Sequence, residues 1–273
     1  MSKINIREIT SQTRFYNFHT HTQYCDGRAT IEEMTRAAVA EDFKYLGFTP
    51  HSPIPVESPC NMSIDAVMDY TAEIERVRKA FPGIGIYKSM EVDYLGPEWG
   101  PSNELVKTWD LDYVLGSVHF VPTQEGKPVD IDGNPERFVR NLRALFHDDL
   151  RYVVDKFYDQ TLSMIEEGGL DIIAHLDKIA ANASIVDPDI ESYPWYKAHV
   201  EKVIDAVSQQ GLIVEINTKA YAKTGRMFPA VTWWPKIIDK GLDVIVNSDA
   251  HYPDLIKSGR DRAFEILSDM INR

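Results

Sequence analysis

Seven short apolar or β-branched runs recur along the chain, separated by stretches with helical periodicity. This alternation constrains the fold more than any other feature of the sequence. The runs are Tyr16-Asn17-Phe18, Tyr45-Leu46-Gly47-Phe48, Ile84-Gly85-Ile86-Tyr87, Tyr113-Val114-Leu115-Gly116, Leu170-Asp171-Ile172-Ile173-Ala174, Leu212-Ile213-Val214-Glu215-Ile216 and Leu242-Asp243-Val244-Ile245-Val246. Helical spacing occupies residues 31–42, 64–80, 136–168 with a break, 195–210 and 233–240. Thr30, with Glu33 three residues later, makes a capping box, and Gly83, Gly168-Gly169, Gly211 and Gly241 act as stops. Strand, helix and strand repeated in this way predict a parallel sheet, closed as a barrel or open and doubly wound. A last helix over 255–271 completes the pattern, and residues 49–59, 97–101 and 122–135 read as long loops suited to a lid or substrate rim.

With 273 residues, 44% hydrophobic and 26% charged, and no linker, the chain is expected to form a single domain over residues 1–273. The polar first residues lack an apolar leader core, and no apolar run is long enough to span a membrane, so a cytoplasmic location is expected. Cys25 and Cys60 have neither the number nor the spacing of a disulfide framework or a Cys-x-x-Cys site. The net charge of −13 argues against a nucleic-acid partner, whose backbone is bound through many Lys and Arg contacts. An anionic substrate would have to be attracted locally, which bound cations can do.

The chemistry lies just beyond the end of each run. Phe18 leads into His19-Thr20-His21, Phe48 into Thr49-Pro50-His51, and Tyr87 is followed by Glu91. His119 comes after Gly116, His175 after Ala174, Asn217 after Ile216, and Asp249-Ala250-His251 after Val246. Six of the eight histidines therefore fall at strand C-termini, the edge where α/β folds place their sites. Residues two apart in extended backbone face the same way, so His19 with His21, and Asp249 with His251, each present two ligands together. Imidazole plus carboxylate is the donor set of zinc, manganese or iron, and a carboxylate such as Glu91 can bridge two ions, so two or three divalent metal ions are expected. His147 and His199 sit in helical patterns among polar neighbours and read as surface side chains. Asn217 is either a site hydrogen-bond donor or a polar strand end, and Asp26 either a turn residue before Gly27 or a further ligand.

These residues resemble the PHP (polymerase and histidinol phosphatase) superfamily. The resemblance rests on His19-Thr20-His21 with Cys25-Asp26-Gly27, Gly47-Phe48-Thr49-Pro50-His51-Ser52, Glu91-Val92-Asp93-Tyr94, Gly116-Ser117-Val118-His119-Phe120, Ala174-His175-Leu176-Asp177 and Asn247-Ser248-Asp249-Ala250-His251. The motifs run in order through most of the chain. The pair Glu-Val-Asp-Tyr and Gly-Ser-Val-His-Phe looks most like the histidinol-phosphatase branch. The resemblance implies a distorted, TIM-like barrel of seven strands. It also implies one metal on His19, His21, Glu91 and Asp249, a second on Glu91, His119 and His175, and a third on His51 and His251 with Asp26. The family often has Ser where Cys25 stands.

The expected reaction is metal-dependent hydrolysis of a small-molecule phosphate ester, L-histidinol phosphate by resemblance, with water activated between two metals. Asp177 or His251 would protonate the leaving alkoxide, and Lys178, Lys219, Arg226 and Arg260 are the candidate phosphate-binding cations. Asp93, Tyr94 and Glu57 are candidates to meet the substrate's amine and imidazole. Rival readings are a phosphoesterase acting on phosphotyrosine or nucleotides, a non-catalytic metal-binding module, and a proofreading nuclease module; the acidic charge weighs against the last.

Overall fold

A computed structural model describes residues 4–272. Its strands are β1 (Tyr16–Asn17), β2 (Tyr45–Phe48), β3 (Gly85–Lys88), β4 (Glu91–Asp93), β5 (Leu115–Ser117), β6 (Phe120–Pro122), β7 (Pro128–Asp130), β8 (Ile172–Ile173), β9 (Ile213–Asn217) and β10 (Val244–Asn247). The α/β pattern is as expected, with helices in the connections. The sheet, however, is not one continuous ring. β1, β2 and β3 form a parallel three-stranded sheet, and β10, β9, β8, β5 and β4 a parallel five-stranded one.

The strand pairing forms two sheets rather than one closed seven-stranded ring, and single parallel bridges, Thr20 to Ala250 and His51 to Glu91, link them. The interruption has a local cause. Ser89 and Met90 separate β3, which pairs with β2, from β4, which pairs with β5. Beyond the short β1, single contacts such as His21 N–H to Ala250 O at 2.9 Å replace a ladder.

Residues 122–135, expected as loop, supply the turn, at Thr123 and Gly126, and the second strand of an antiparallel hairpin of β6 and β7. The predicted helix over 136–168 divides into Pro135–Leu145 and Leu150–Glu167, with Asp149 capping the second. His147 lies in that break, exposed, with φ +54°. The Thr30–Glu33 capping box forms, and the last helix begins only at Arg260. Helices at Ile6–Gln12, Glu104–Thr108 and Ala180–Val186 add to the expected set. His199 departs from the surface reading: it is half-buried, bonded to Asp155 at 2.7 Å and stacked on Tyr158.

Beneath the strand ends lies an apolar floor of Tyr16, Phe18, Tyr113, Leu115, Ile172, Ile213 and Ile245, all buried. Gly47 is required here, because a Cβ would run into the Tyr113 hydroxyl, which donates to Phe18 O at 2.6 Å. No helix among the described residues is long and apolar enough to cross a membrane.

Candidate metal centre

Glu91, at the start of β4, is the hub. Its Oε2 lies 3.2 Å from His19 Nε2, 3.4 Å from His21 Nε2 and 3.2 Å from His51 Nδ1, while its Oε1 lies 2.9 Å from His175 Nε2 and 3.6 Å from His119 Nε2. Asp249 Oδ1 reaches His21 Nε2 at 3.2 Å and His19 Nε2 at 3.6 Å, and Asp26 Oδ1 reaches His251 Nε2 at 3.2 Å. The structure therefore brings together all nine predicted ligands: His19, His21, Asp26, His51, Glu91, His119, His175, Asp249 and His251. Ligand atoms converge in overlapping groups: His19, His21 and Glu91; Glu91, His119 and His175; His21, Asp26, His51 and His251; and His51, Asp93 and His119.

The donors behave as a set shaped for cations. His19 Nε2 and His21 Nε2 face each other at 3.1 Å, an arrangement that two bare imidazole nitrogens adopt around a positive centre. His51 Nδ1 and Asp26 Oδ1 are buried and make no hydrogen bond, which is costly unless another partner takes them. The residues present fit divalent ions in more than one position.

The rings are held from behind. Glu215 Oε1 accepts from His19 Nδ1 at 2.7 Å, Asp93 Oδ1 from His119 Nδ1 at 2.7 Å, and Asp249 O from His251 Nδ1 at 3.0 Å, while Cys25 Sγ lies 3.4 Å from His21 Nδ1. Fixing the proton on Nδ1 leaves Nε2 bare toward the centre. Glu215 was missed by sequence reasoning, although it stands inside one of the seven runs. A lone acid in an otherwise apolar run was the available signal. Fully buried, Glu215 also takes His175 N–H at 3.1 Å, Asn217 Nδ2 at 3.1 Å and Asn247 Nδ2 at 2.9 Å. Asn217 proves to be a donor, bonding Asp249 Oδ2 at 3.1 Å as well.

Burial opposes charge on these groups, yet their mutual attraction prevails at several. Burial alone would raise the Glu91 carboxyl, but His19, His51 and His119 hold it well below its usual range. Burial likewise opposes positive charge at His19, but Glu215, Asp249 and Glu91 raise it well above the usual histidine range, the same negative surroundings that draw a proton or a metal cation to Nε2. For His21 the balance is reversed: burial and His251 push it well below that range. Asp249 adopts φ +49° and His175 φ +22°, backbone strain of the kind that persists where surrounding packing fixes a functional side chain.

A cavity of about 120 Å³ opens beside the hub, lined by Glu91, His119, Asp93, Asp130, Asp132, Arg137, Lys178 and Lys219 among others. Lys219 Nζ lies 3.3 Å from Asp249 Oδ1 and 3.1 Å from His251 Nε2, and Lys178 Nζ 3.5 Å from Asp132. Asp132 remains ionised well below the usual carboxyl range: burial raises it, but Lys178, His119 and Lys219 outweigh that.

The structure does not bring the other two candidate cations to the cavity. Arg226 forks onto Glu191 at 2.7 and 2.9 Å and packs on Phe228. Arg260, 2% exposed, donates to Val246 O and Arg14 O beneath Tyr16, Phe43 and Phe264. Asp177 also turns away, accepting Ala230 N–H at 2.8 Å, and burial raises its carboxyl to about 7. Among the substrate-contact candidates, Asp93 lines the cavity, whereas the Tyr94 hydroxyl bonds Glu167 and Glu57 is exposed.

Residues 17–219 match the model of the PHP domain. A protein of Deinococcus radiodurans named "Probable histidinol-phosphatase" is 28% identical over 256 residues, covering 89% of this chain and 92% of its own. A solved structure from Listeria monocytogenes, described provisionally as a histidinol phosphatase, aligns with TM-score 0.80 at 18% identity over 90% of this chain and 99% of that one. The histidinol phosphate phosphatase of Lactococcus lactis, solved with zinc, L-histidinol and phosphate, aligns with TM-score 0.69 at 15% identity over 94% of each chain. At such identities the two structures speak for the fold alone. The family match and the phosphatase relative agree with the ligand groups found at the strand ends, and the chain belongs to the PHP domain family, as a phosphoesterase.

Proposed function

We propose that this chain hydrolyses L-histidinol phosphate to L-histidinol and phosphate, a step of histidine biosynthesis in the cytoplasm. The observation that carries this reading is the convergence of two ligand groups on Glu91, with two more overlapping them, beside a cavity offering both cations and carboxylates. A phosphoester with an amine-bearing alcohol asks for that mixture. The full-length relative named for this activity supports the choice of substrate. The functional unit takes in the single domain expected over residues 1–273, since His251, in one of the ligand groups, and Asp249, 3.2 Å from His21, lie beyond the family match.

One metal position uses His19, His21, Glu91 and Asp249, a second Glu91, His119 and His175, and a third His51 and His251 with Asp26. When bound, two or three zinc, manganese or iron ions neutralise phosphoryl charge and make a water acidic enough to attack near neutral pH. The chain's own groups do the rest. Lys178 and Lys219 line the cavity and donate to phosphoryl oxygens. Glu215, Asp93, Cys25 and the Asp249 carbonyl hold four rings in the orientation that presents Nε2. Of the two candidate proton donors, His251 stands beside the cavity's Lys219, its Nε2 3.1 Å from Nζ; with that Nε2 given to a cation, the Lys219 ammonium would pass the proton to the departing alkoxide. Asp177, bonded to the Ala230 backbone, instead fixes the segment after His175.

Phosphate release from L-histidinol phosphate tests the reading, comparing chelator-stripped protein with the same protein reloaded with zinc or manganese. Release in the reloaded sample alone is the expected result. No release from metal-loaded protein, with turnover of phosphotyrosine or a nucleotide instead, would overturn the substrate while leaving the phosphoesterase.

A further inference from the structure

One wall of the cavity is built by the β6–β7 hairpin and the turn after it, and the cavity's carboxylates outside the nine ligands are not equivalent. Asp93 is committed to His119 and to Asn61 Nδ2 at 3.1 Å. Asp130 is committed as well: its Oδ1 accepts Asp132 N–H at 2.9 Å and its Oδ2 pairs with Arg137. Asp132 differs. Its side chain keeps 27% of its exposure, and the ion pair it makes, with Lys178 Nζ at 3.5 Å, is loose.

A loose pair of opposite charges on a cavity wall can be opened by a ligand carrying both signs, because each charge exchanges one partner for a better one. A phosphate monoester whose alcohol bears an amine close to the ester oxygen is such a ligand. Its phosphoryl group suits Lys178, and its ammonium suits the carboxylate released. A neutral alcohol would leave Asp132 with nothing to bind, and an acidic one would be repelled, so the same residue would both attract and exclude.

Resting on the phosphomonoesterase reading, we infer that Asp132 is the specificity-determining carboxylate, taking the ammonium of an amino-alcohol phosphate while Lys178 takes its phosphoryl oxygens. Asp132 touches neither the reacting bond nor any of the nine ligands; its effect is to select the leaving group.

The test uses zinc-loaded protein and two esters, L-histidinol phosphate and its analogue lacking the amine. Wild type should prefer the amine-bearing ester in kcat/KM by about ten- to a hundredfold, the range of a hydrogen bond to a charged group. Asp132→Asn should collapse that ratio toward one, chiefly through KM of the aminated ester, with zinc content unchanged, and Asp132→Glu should restore part of it. Wild type that hydrolyses both esters without preference would overturn the Asp132 assignment alone, whether or not the variants fold. An unchanged ratio in folded Asp132→Asn would do the same. Zinc-loaded wild type that hydrolyses neither ester would overturn the histidinol phosphate reading and this inference with it.

Discussion

The apolar floor and the charged layer above it are built from the same strands, often from neighbouring residues, and they do opposite things. Phe18 and Ile213 belong to the floor; His19 and Glu215, one and two residues on, belong to the layer of ligands and supports. Each floor side chain contributes roughly 1.5–3 kcal/mol by leaving water. The layer above concentrates Glu91, Asp93, Glu215 and Asp249, all buried and all ionisable, against six imidazoles. Buried charge is expensive unless compensated, so the top of the sheet is a cost to stability that the floor offsets and that bound cations relieve. Stability and chemistry should therefore separate by layer.

The strongest way to break that separation is at the hub. Glu91→Ala removes the carboxylate shared by two ligand groups, and turnover should fall on the order of a thousandfold or more, since such metal assistance amounts to several kcal/mol. Metal content should fall with it. Normal activity in that variant, measured by phosphate release, would refute the bridging role. The floor should respond in the opposite sense. Leu115→Ala, at a buried position of β5, should cost about 2–5 kcal/mol of unfolding free energy by denaturant titration. Its kcat at full metal loading should change little. Leu115 pairs in register with Glu91 across β4 and β5, so the loss is read in stripped and in loaded protein, where coupling between the layers shows as a difference. Loading itself should raise the melting temperature of both proteins, by the equivalent of about 2.7 kcal/mol at a hundredfold excess over Kd. A loss of kcat in Leu115→Ala as large as in Glu91→Ala would erase the distinction between layers.

The charged layer was more legible in the sequence than the floor's closure. Ligands announce themselves because strand alternation places every second residue on one side, so His19 with His21 and Asp249 with His251 could be paired before any coordinates. Their supports could not. Glu215 reads as one more residue of a strand until its neighbours are known, and Asp132 was hidden because Pro122, Gly126 and Gly133 suggested loop where a hairpin forms. Arg260 misled for a related reason: a cation after a strand resembles a phosphate ligand, but its helix turns it under three aromatic rings. The distorted barrel implied by the resemblance did not say where its pairing would break, and the interruption at Ser89 and Met90 depends on inter-strand pairing rather than on composition.

A smaller effect sharpens the comparison within the charged layer, between supports that carry full charge and one that does not. Glu215→Gln keeps the shape of the side chain but weakens the bond to His19 Nδ1, and metal affinity should drop about ten- to a hundredfold, as for other groups behind a ligating histidine.

Cys25 stands behind His21 in the same relation, but a thiol is a weak partner and its contact is long, 3.4 Å. Burial pushes the thiol up to about 12, so at neutral pH it remains uncharged. Cys25→Ala should therefore weaken metal binding by no more than about tenfold, the worth of an uncharged hydrogen bond. Cys25→Ser keeps an oxygen acceptor at the position and should retain most of the affinity. Metal titration of the three proteins, followed by calorimetry, reads both numbers. If Ser binds as poorly as Ala, the sulfur acts by filling space beside Thr22 and Gly27 rather than by orienting the His21 ring. If Cys25→Ala matches Glu215→Gln in its loss, charge is not what distinguishes the supports, and the ordering of the layer by electrostatic strength fails at its weakest member.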